Sequence, residues 1–271
     1  MIGQFFRKFT AHSGALYAAL FFFALASTVS LQSSEAFEIP LPGLDDIVSP
    51  ALRSEAIRAV GVATAHRPFQ PATPLGVALG LEAGLEFTLI KVPETLFEEL
   101  EKMGLEGSFE VPTLPIPRLQ LHKGLGPKLD VGLSYVGYQK YRLYGADVKL
   151  VVYHPEEGPA FALRLSYTQS KLDYVYTTSW SPQVVMSKEL HFATPYMGLE
   201  YQVISGKIEG SQEVLPGISV PIKFDGIHST GGSAFLGLGL RVPALGFKIS
   251  VEGAYSFVGA HSLGAKLGLA W

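Results

Sequence analysis

The chain has 271 residues, contains no cysteine and carries a formal net charge of -3. The absence of cysteine excludes disulfide bonds, zinc–thiolate sites and cysteine nucleophiles. The mild acidity and the lack of a basic run give no reason to expect nucleic acid as a partner. The length is sufficient for one large β domain or two small ones.

The N-terminus has the pattern of a secretory signal peptide. Arg7 and Lys8 precede an apolar stretch over residues 15–29, and Ser34, Glu35 and Ala36 form a small-x-small cleavage site. We predict a cleavable signal peptide over residues 1–36, with cleavage after Ala36 or, as the second choice, after Ala26. An uncleaved anchor is disfavoured because the apolar run is shorter than the ~20 residues that a spanning helix needs.

Residues 37–72 lie outside the regular pattern that follows them. We predict that they form an N-terminal periplasmic or plug segment, with a short helix over residues 51–60 before the interruptions at Pro68 and Pro71. Residues 60–65 are alternatively interpreted as a short extra strand.

From residue 73 to residue 271, apolar residues alternate with small or charged ones. This period of two is typical of strands, whereas an amphipathic helix spaces its apolar residues three and four apart. Pro182 lies within the sixth predicted strand, where a bulge or a loss of pairing is expected. The ten predicted strands cover residues 75–89, 118–122, 128–138, 143–153, 160–168, 172–188, 196–205, 233–242, 247–257 and 262–271.

The connections between these strands alternate in length. Long connections, over residues 92–114 and 206–231, follow the first and seventh strands, whereas short Gly/Pro turns follow the second, fourth and eighth. Outer-membrane barrels with both termini in the periplasm have long loops outside and short turns inside. The sequence therefore predicts an all-β, transmembrane, antiparallel up-and-down β-barrel of about ten strands. Twelve is the alternative if residues 60–65 and 218–225 are strands, and a soluble sandwich is the competing interpretation.

Charged residues within the predicted strands lie on the face opposite the apolar residues. A Lys or Arg that faced lipid near the midplane would cost roughly 2–4 kcal/mol, and unpaired backbone in hydrocarbon requires the sheet to close. Ten strands lie near the size at which side chains fill a barrel, so we expect a plugged lumen or a narrow wet path. The predicted lumen-lining residues are Glu82, Glu86, Asp130, Asp147, Lys149, Arg164, Glu200, Lys248, Glu252 and Lys266.

From about residue 51 onward the chain resembles a group of uncharacterised outer-membrane β-barrel proteins of Gram-negative bacteria. The resemblance implies a barrel in the outer membrane, with outer-membrane lipids and the barrel assembly machinery as partners, and it supplies no activity. The terminal Trp271, where such barrels more often end in Phe, then serves as the assembly signal. The stretches that carry the resemblance are PLGVALGLEAGLEFT (74–88), LHKGLGPKLDVGLSY (121–135), LYGADVK (143–149), SK (187–188), TPYMGLEY (194–201) and AKLGLAW (265–271).

The sequence does not predict catalysis. His261 precedes the last strand with outward parity, but a catalytic partner would have to be a neighbouring outward serine, and Ser256 and Ser262 have inward parity. We expect His122 and His154 to be solvated residues at periplasmic turns. No metal-ligand spacing, phosphate loop or cofactor motif is recognised, so we predict neither a metal nor a cofactor.

The leading functional hypothesis is a non-enzymatic barrel that forms a narrow passive channel or a conduit for small solutes or lipophiles. The first alternative is a structural or surface-interaction barrel whose large loops contact something outside the cell. A lipid-modifying outer-membrane enzyme is the remaining alternative. The sequence predicts no particular oligomeric state.

Overall fold

The structure is a computed structural model that describes residues 50–76, 80–91, 113–138, 141–172, 175–215, 218–242, 246–257 and 259–270. The predicted signal peptide over residues 1–36, most of the predicted connection over 92–114 and the terminal Trp271 lie outside the described residues.

The described residues form one helix and ten strands, and the strands close into an antiparallel barrel in which each strand pairs with its neighbours in sequence and β1 pairs with β10. Among them, no helix combines the length and apolar character that a membrane span requires. The elements are α1 (Pro50–Thr64), β1 (Leu81–Lys91), β2 (Thr113–Gly124), β3 (Leu129–Tyr138), β4 (Tyr141–Tyr153), β5 (Pro159–Leu172), β6 (Val175–Lys188), β7 (Ala193–Leu215), β8 (Ile218–Val242), β9 (Phe247–Ser256) and β10 (His261–Ala270).

The ten-strand prediction is confirmed, and the twelve-strand alternative is wrong because residues 60–64 belong to α1 and residues 218–225 belong to β8. The predicted turns after the second, fourth and eighth strands also separate strands in the structure. We name the end of the barrel with the connections after β2, β4, β6 and β8 the turn end, and the opposite end the loop end.

The prediction of a long loop over residues 206–231 is wrong. Residues 206–215 continue β7 and residues 218–231 belong to β8, and the two strands pair with each other. They have 23 and 25 residues, with register shifts near Gly206 and Glu213. Gly226, with a φ of 69°, lies beside the first register shift, whereas Gly210 and Gly231 pair within the regular parts of the ladder. The first strand also begins later than predicted, at Leu81.

Pro182 interrupts pairing on one side only. The ladder between β6 and β7 passes from Trp180 to Gln183 without pairs at Ser181 and Pro182, whereas Pro182 still lies opposite Leu165 of β5. Proline has no backbone N–H to donate, so the loss of pairing expected from the sequence occurs towards β7.

The strands separate apolar from polar side chains across the wall of the barrel. Leu119 and Leu199 each expose 61% of their surface outward, whereas Glu82 and Lys149 on the inner face expose 0%. The exposed apolar band carries aromatic pairs, including Tyr135 with Tyr144 at a centroid distance of 5.2 Å. An apolar outer face and a polar inner face are the reverse of the arrangement in a soluble β-sandwich.

The lumen contains the chain's own N-terminal segment, residues 50–76, which we name the plug. Helix α1 lies at the loop end, where Ser54 Oγ donates to the backbone oxygen of His228 at 3.3 Å and the Arg53 guanidinium lies 3.8 Å from the centre of the Phe224 ring. Residues 65–76 continue towards the turn end, where the Leu75 backbone N–H donates to Asp130 Oδ2 at 3.1 Å. The plug therefore traverses the barrel before β1 begins.

Glycines on the inner wall make room for the plug. A Cβ atom at Gly145 would lie 2.7 Å from His66 Cγ, and one at Gly264 would lie 2.5 Å from Phe69 Cζ. Phe69 has a φ of 54°, which is a strained value for an aromatic residue, and it is buried against the wall. Gly206 likewise leaves room for Ile57, and Gly231 leaves room for Val62. The inner surface of the barrel is thus complementary in shape to the plug.

We expect Gly264→Ala to destabilise the protein by about 1–3 kcal/mol, the usual cost of overpacking a filled interior. The added Cβ would approach Phe69 Cζ to 2.5 Å and Thr88 Oγ1 to 2.6 Å. Denaturant unfolding of the detergent-solubilised protein measures the change. The matched control is Gly253→Ala on β9, where the nearest atoms lie 4.0 Å from the added Cβ. Equal unfolding midpoints for the two variants would contradict a tightly fitted plug.

Candidate functional site: the occupied lumen

The ten charged residues that the sequence assigns to the lumen all have buried side chains in the structure. They come from β1, β3, β4, β5, β7, β9 and β10, where each occupies an inward position of the alternating pattern. Burial of a charge is costly unless it is paired and hydrogen-bonded, so the partners of these groups determine what the lumen can do.

One cluster joins β1, β9 and β10. Glu82 accepts hydrogen bonds from two ammonium groups, Lys248 Nζ at 2.7 Å and Lys266 Nζ at 2.5 Å. The carboxylate lies near the turn end, where β1 and β10 close the barrel. A single negative charge thus bridges two positive charges across the closing seam.

Cationic wall residues bind the backbone of the plug. Lys149 Nζ donates to the carbonyl oxygens of Pro71 at 3.0 Å and Thr73 at 2.7 Å, and Lys266 Nζ donates to that of Pro68 at 2.6 Å. An extended segment without a strand partner leaves its carbonyl groups unpaired, and buried carbonyls need donors. The wall side chains therefore substitute for a β-ladder. Three further wall side chains donate to carbonyl oxygens of the plug: Arg164 to Gln70 O at 2.9 Å, Arg118 to Thr64 O and Ala65 O at 3.1 Å each, and Gln120 to Arg67 O at 2.8 Å.

Wall acceptors bind the N–H groups of the plug. The His66 N–H donates to Thr168 Oγ1 at 2.8 Å and the Ala72 N–H donates to Ser187 Oγ at 3.0 Å. Asp130, besides accepting from Leu75, pairs with Lys149 Nζ at 2.9 Å. Side chains of the barrel therefore bind both carbonyl oxygens and N–H groups of the plug backbone.

Glu86 and Glu200 interact with other side chains of the wall. Glu86 accepts from Thr88 Oγ1 at 2.6 Å and also from Gln120. Glu200 accepts from Ser233 Oγ at 2.9 Å and from Gln202 Nε2 at 2.8 Å. Glu252 is buried on β9. Asp147 belongs to a separate cluster with histidines.

That cluster consists of His66 from the plug, His122 from β2 and Asp147 from β4. His66 Nε2 lies 2.8 Å from Asp147 Oδ1, and His122 Nε2 lies 3.2 Å from the same oxygen. The two imidazole rings stack with centroids 6.3 Å apart. Ser134 Oγ lies 2.8 Å from His66 Nδ1. The expectation that His122 is a solvated rim residue is wrong, because only 1% of its surface is exposed.

Three further residues of β2 have buried polar side chains in the lumen and were not predicted, although the sequence contains a signal for them: Arg118, Gln120 and His122. These residues alternate along β2 with Leu119 and Leu121, which are exposed on the outer face. Inward parity therefore identifies them in the same way as the ten predicted residues. His66 has no such signal, because the plug is irregular after α1 and periodicity does not assign its side chains to a face.

The possible catalytic pair at the loop end does not form. His261 is exposed and stacks on Tyr255 with ring centroids 4.7 Å apart, whereas Ser256 is buried on the inner side. His154 is exposed beside Glu189 at the turn end, with its Nε2 atom 3.7 Å from a carboxylate oxygen. Neither histidine belongs to the buried cluster.

Closure, strand order and the apolar outer face together define a transmembrane antiparallel up-and-down β-barrel. Its distinguishing feature is a polar lumen filled by the N-terminal segment of the same chain.

Solved structures similar to this chain are outer-membrane β-barrel proteins. The outer membrane protease OmpT from Escherichia coli is 10% identical, with a TM-score of 0.38 over 72% of this chain and 99% of that chain. Neisserial surface protein A is 9% identical, with a TM-score of 0.31 over 70% and 97%. The N-terminal barrel domain of Pseudomonas aeruginosa OprF is 13% identical, with a TM-score of 0.32 over 69% and 96%. No family model and no curated protein matches the chain.

Proposed function

We propose that the protein is an outer-membrane barrel that acts as a narrow conduit for small polar solutes and is closed at rest by its own plug. In this proposal, residues 1–36 direct export, outer-membrane lipids surround the apolar band, and Trp271 is recognised by the barrel assembly machinery. The supporting observation is that polar and charged wall side chains bind the plug backbone, so that the surface beneath the plug is hydrophilic.

The chemistry of the contact between plug and wall favours a removable plug. Lys149, Arg164 and Lys266 bind carbonyl oxygens, and water can replace both partners of such a bond when the plug moves. The net contribution of a hydrogen bond that water can replace is about 0.5–1.5 kcal/mol, or about 1.5–3 when one group is charged. When the plug is displaced, water therefore replaces many of its polar contacts with the wall, and a water-filled path remains.

The long β7–β8 hairpin supports a second candidate, a surface-interaction barrel. β7 and β8 have 23 and 25 residues, whereas β5 and β6 have 14 each. At about 3.4 Å per residue, the excess is of order 30 Å along the strands. The extension carries exposed ion pairs, such as Lys223 with Asp225 at 3.1 Å. It would stand in water beyond the loop end and offer a surface to a partner.

A reversible cross-link between plug and wall tests the conduit. Ala72 and Ser187 contact each other through the 3.0 Å hydrogen bond, and the chain has no other cysteine, so the double variant Ala72→Cys/Ser187→Cys contains one possible disulfide. In planar bilayers we expect channel openings in the reduced protein, their loss after oxidation and their return after reduction. Ala72→Cys alone is the control and should respond to neither treatment.

Two outcomes would contradict the conduit. The first is a folded, reduced double variant that passes no current at any voltage. The second is equal current from the oxidised and reduced forms, with the cross-link verified by gel mobility. Either result would leave the surface-interaction barrel as the favoured function.

A further inference from the structure

We propose that His66, His122 and Asp147 form a binding site for a divalent transition-metal ion, with Zn²⁺ as the best match, which joins the plug to the barrel wall. The three residues come from three separate parts of the chain and meet inside the lumen. Metal binding at this site does not depend on whether the lumen conducts.

The distances between the donor atoms suit a metal ion. His66 Nε2 and His122 Nε2 lie 2.8 and 3.2 Å from Asp147 Oδ1, and all three donor atoms lie within 4.8 Å of one another. Zn²⁺ binds imidazole nitrogen and carboxylate oxygen at about 2.0–2.2 Å in a tetrahedron. Bonds of that length place ligand atoms roughly 3.3 Å apart, so small side-chain movements are sufficient.

His122 supplies an independent observation. Its side chain is 99% buried, with 1% exposure, and among the described residues neither Nδ1 nor Nε2 has a hydrogen-bond partner. The contact of Nε2 with Asp147 Oδ1 is close, but it is not aligned as a hydrogen bond. A buried polar atom without a partner is costly. A metal ion between the two rings would bind the Nε2 lone pair and supply that atom with a partner.

The wall is built so that these side chains can meet. His122, Gly132 and Asp147 are neighbours in one row across β2, β3 and β4. A Cβ atom at Gly132 would lie 2.1 Å from His122 Cδ2 and 2.2 Å from Asp147 Oδ1. The glycine therefore leaves the space in which side chains from two non-adjacent strands come together above it.

A second layer of contacts orients the donors. Ser134 Oγ lies 2.8 Å from His66 Nδ1, so Nδ1–H can donate to the hydroxyl while Nε2 presents its lone pair, the usual arrangement of a metal-bound histidine. Arg164 Nε lies 4.0 Å from Asp147 Oδ2. That positive charge lies beside the second carboxylate oxygen and leaves Oδ1 as the metal ligand.

The donor set determines the class of ion. Two imidazoles and one carboxylate suit Zn²⁺ and its first-row neighbours, whereas Ca²⁺ and Mg²⁺ require sets of oxygen ligands. Three protein ligands leave the fourth tetrahedral position for water. Because His66 belongs to the plug and the other two ligands belong to the wall, the ion would cross-link the two.

The test is calorimetric titration of Zn²⁺ into the refolded, tag-free full chain in detergent, with His122→Gln as the ligand variant. We expect one Zn²⁺ per chain and a loss of affinity in the variant that exceeds the roughly 10–100-fold cost of losing an outer-shell partner. The matched control is His154→Gln, since His154 is exposed beside Glu189 and its loss should leave the affinity unchanged.

Gly132→Ala is a second variant that retains all three ligands and fills the space between them. We expect it to weaken Zn²⁺ binding as well, and heat-modifiable gel mobility shows whether each variant is folded. No stoichiometric binding to the wild-type chain would overturn the proposal. Equal affinity in wild type and folded His122→Gln, or loss of binding in His154→Gln alone, would also overturn it by assigning the ion to another site.

Discussion

Deletion of residues 37–76, with the export signal retained, should convert a mostly closed barrel into one that passes steady current. In the structure, plug residues occupy the lumen from α1 at the loop end to Leu75 at the turn end. Their removal leaves a wall lined by charged and hydroxyl groups, which water can solvate. Ten strands lie between the eight that side chains can fill and the 16–18 of open porins, so we expect small conductance steps.

Planar-bilayer recordings of full-length and deleted protein measure this change, with heat-modifiable mobility as the check on folding. Glu200→Gln in the deleted barrel should shift the ion selectivity towards anions, because it removes an inward negative charge, whereas Glu157→Gln at the exposed β4–β5 turn should not. A folded deletion variant without current would show that the lumen is not a path. Full-length protein that conducts as steadily as the deletion would show that the plug does not close it.

Glu82→Gln should be the most destabilising conservative substitution of the wall, with an expected loss of about 3–5 kcal/mol, the cost of breaking a buried ion pair from one side. The carboxylate accepts from Lys248 at 2.7 Å and Lys266 at 2.5 Å. An amide has no charge to balance two ammonium groups in a buried site. Denaturant unfolding in detergent measures the loss.

The matched control is Glu157→Gln, an exposed acid for which a change within about 0.5 kcal/mol is expected. The double variant Glu82→Gln/Lys248→Met removes one of the two uncompensated cations and should be more stable than Glu82→Gln alone. A Glu82→Gln midpoint equal to that of wild type would mean that this cluster does not stabilise the seam. A double variant less stable than the single one would place the cost in packing rather than in charge.

The wall of the barrel was predictable from the sequence because a membrane imposes a strict pattern on it. Lipid on one side and polar contents on the other make every strand alternate, and the short turns after β2, β4 and β8 carry Gly and Pro. The β7–β8 extension is different. Outside hydrocarbon neither face needs to be apolar, so the alternation is weaker there. The sequence predicts a loop over residues 206–231, whereas residues 202–215 pair with residues 218–231 in the structure.

The contents of the lumen were predictable only in part. Parity assigned Glu82 and Lys149 to the inner face, but it could not identify their partners, because those partners are carbonyl oxygens and side chains at unrelated positions in the chain. The contact of His122 with Asp147 depends on the absence of a side chain at Gly132 and on the register of three strands. His66 reaches them from an irregular segment, for which neither alternation nor helical spacing applies.

The path of residues 50–76 has a consequence for biogenesis. Pro50 begins α1 at one mouth of the cylinder, and β1 begins near the other, beside the last strand. Threading a peptide of this length through a closed barrel would require each of its backbone groups to cross the narrow interior in turn. We therefore expect the N-terminal residues to bind the nascent sheet first. Pairing of β1 with β10, which closes the barrel around them, would then be the final step.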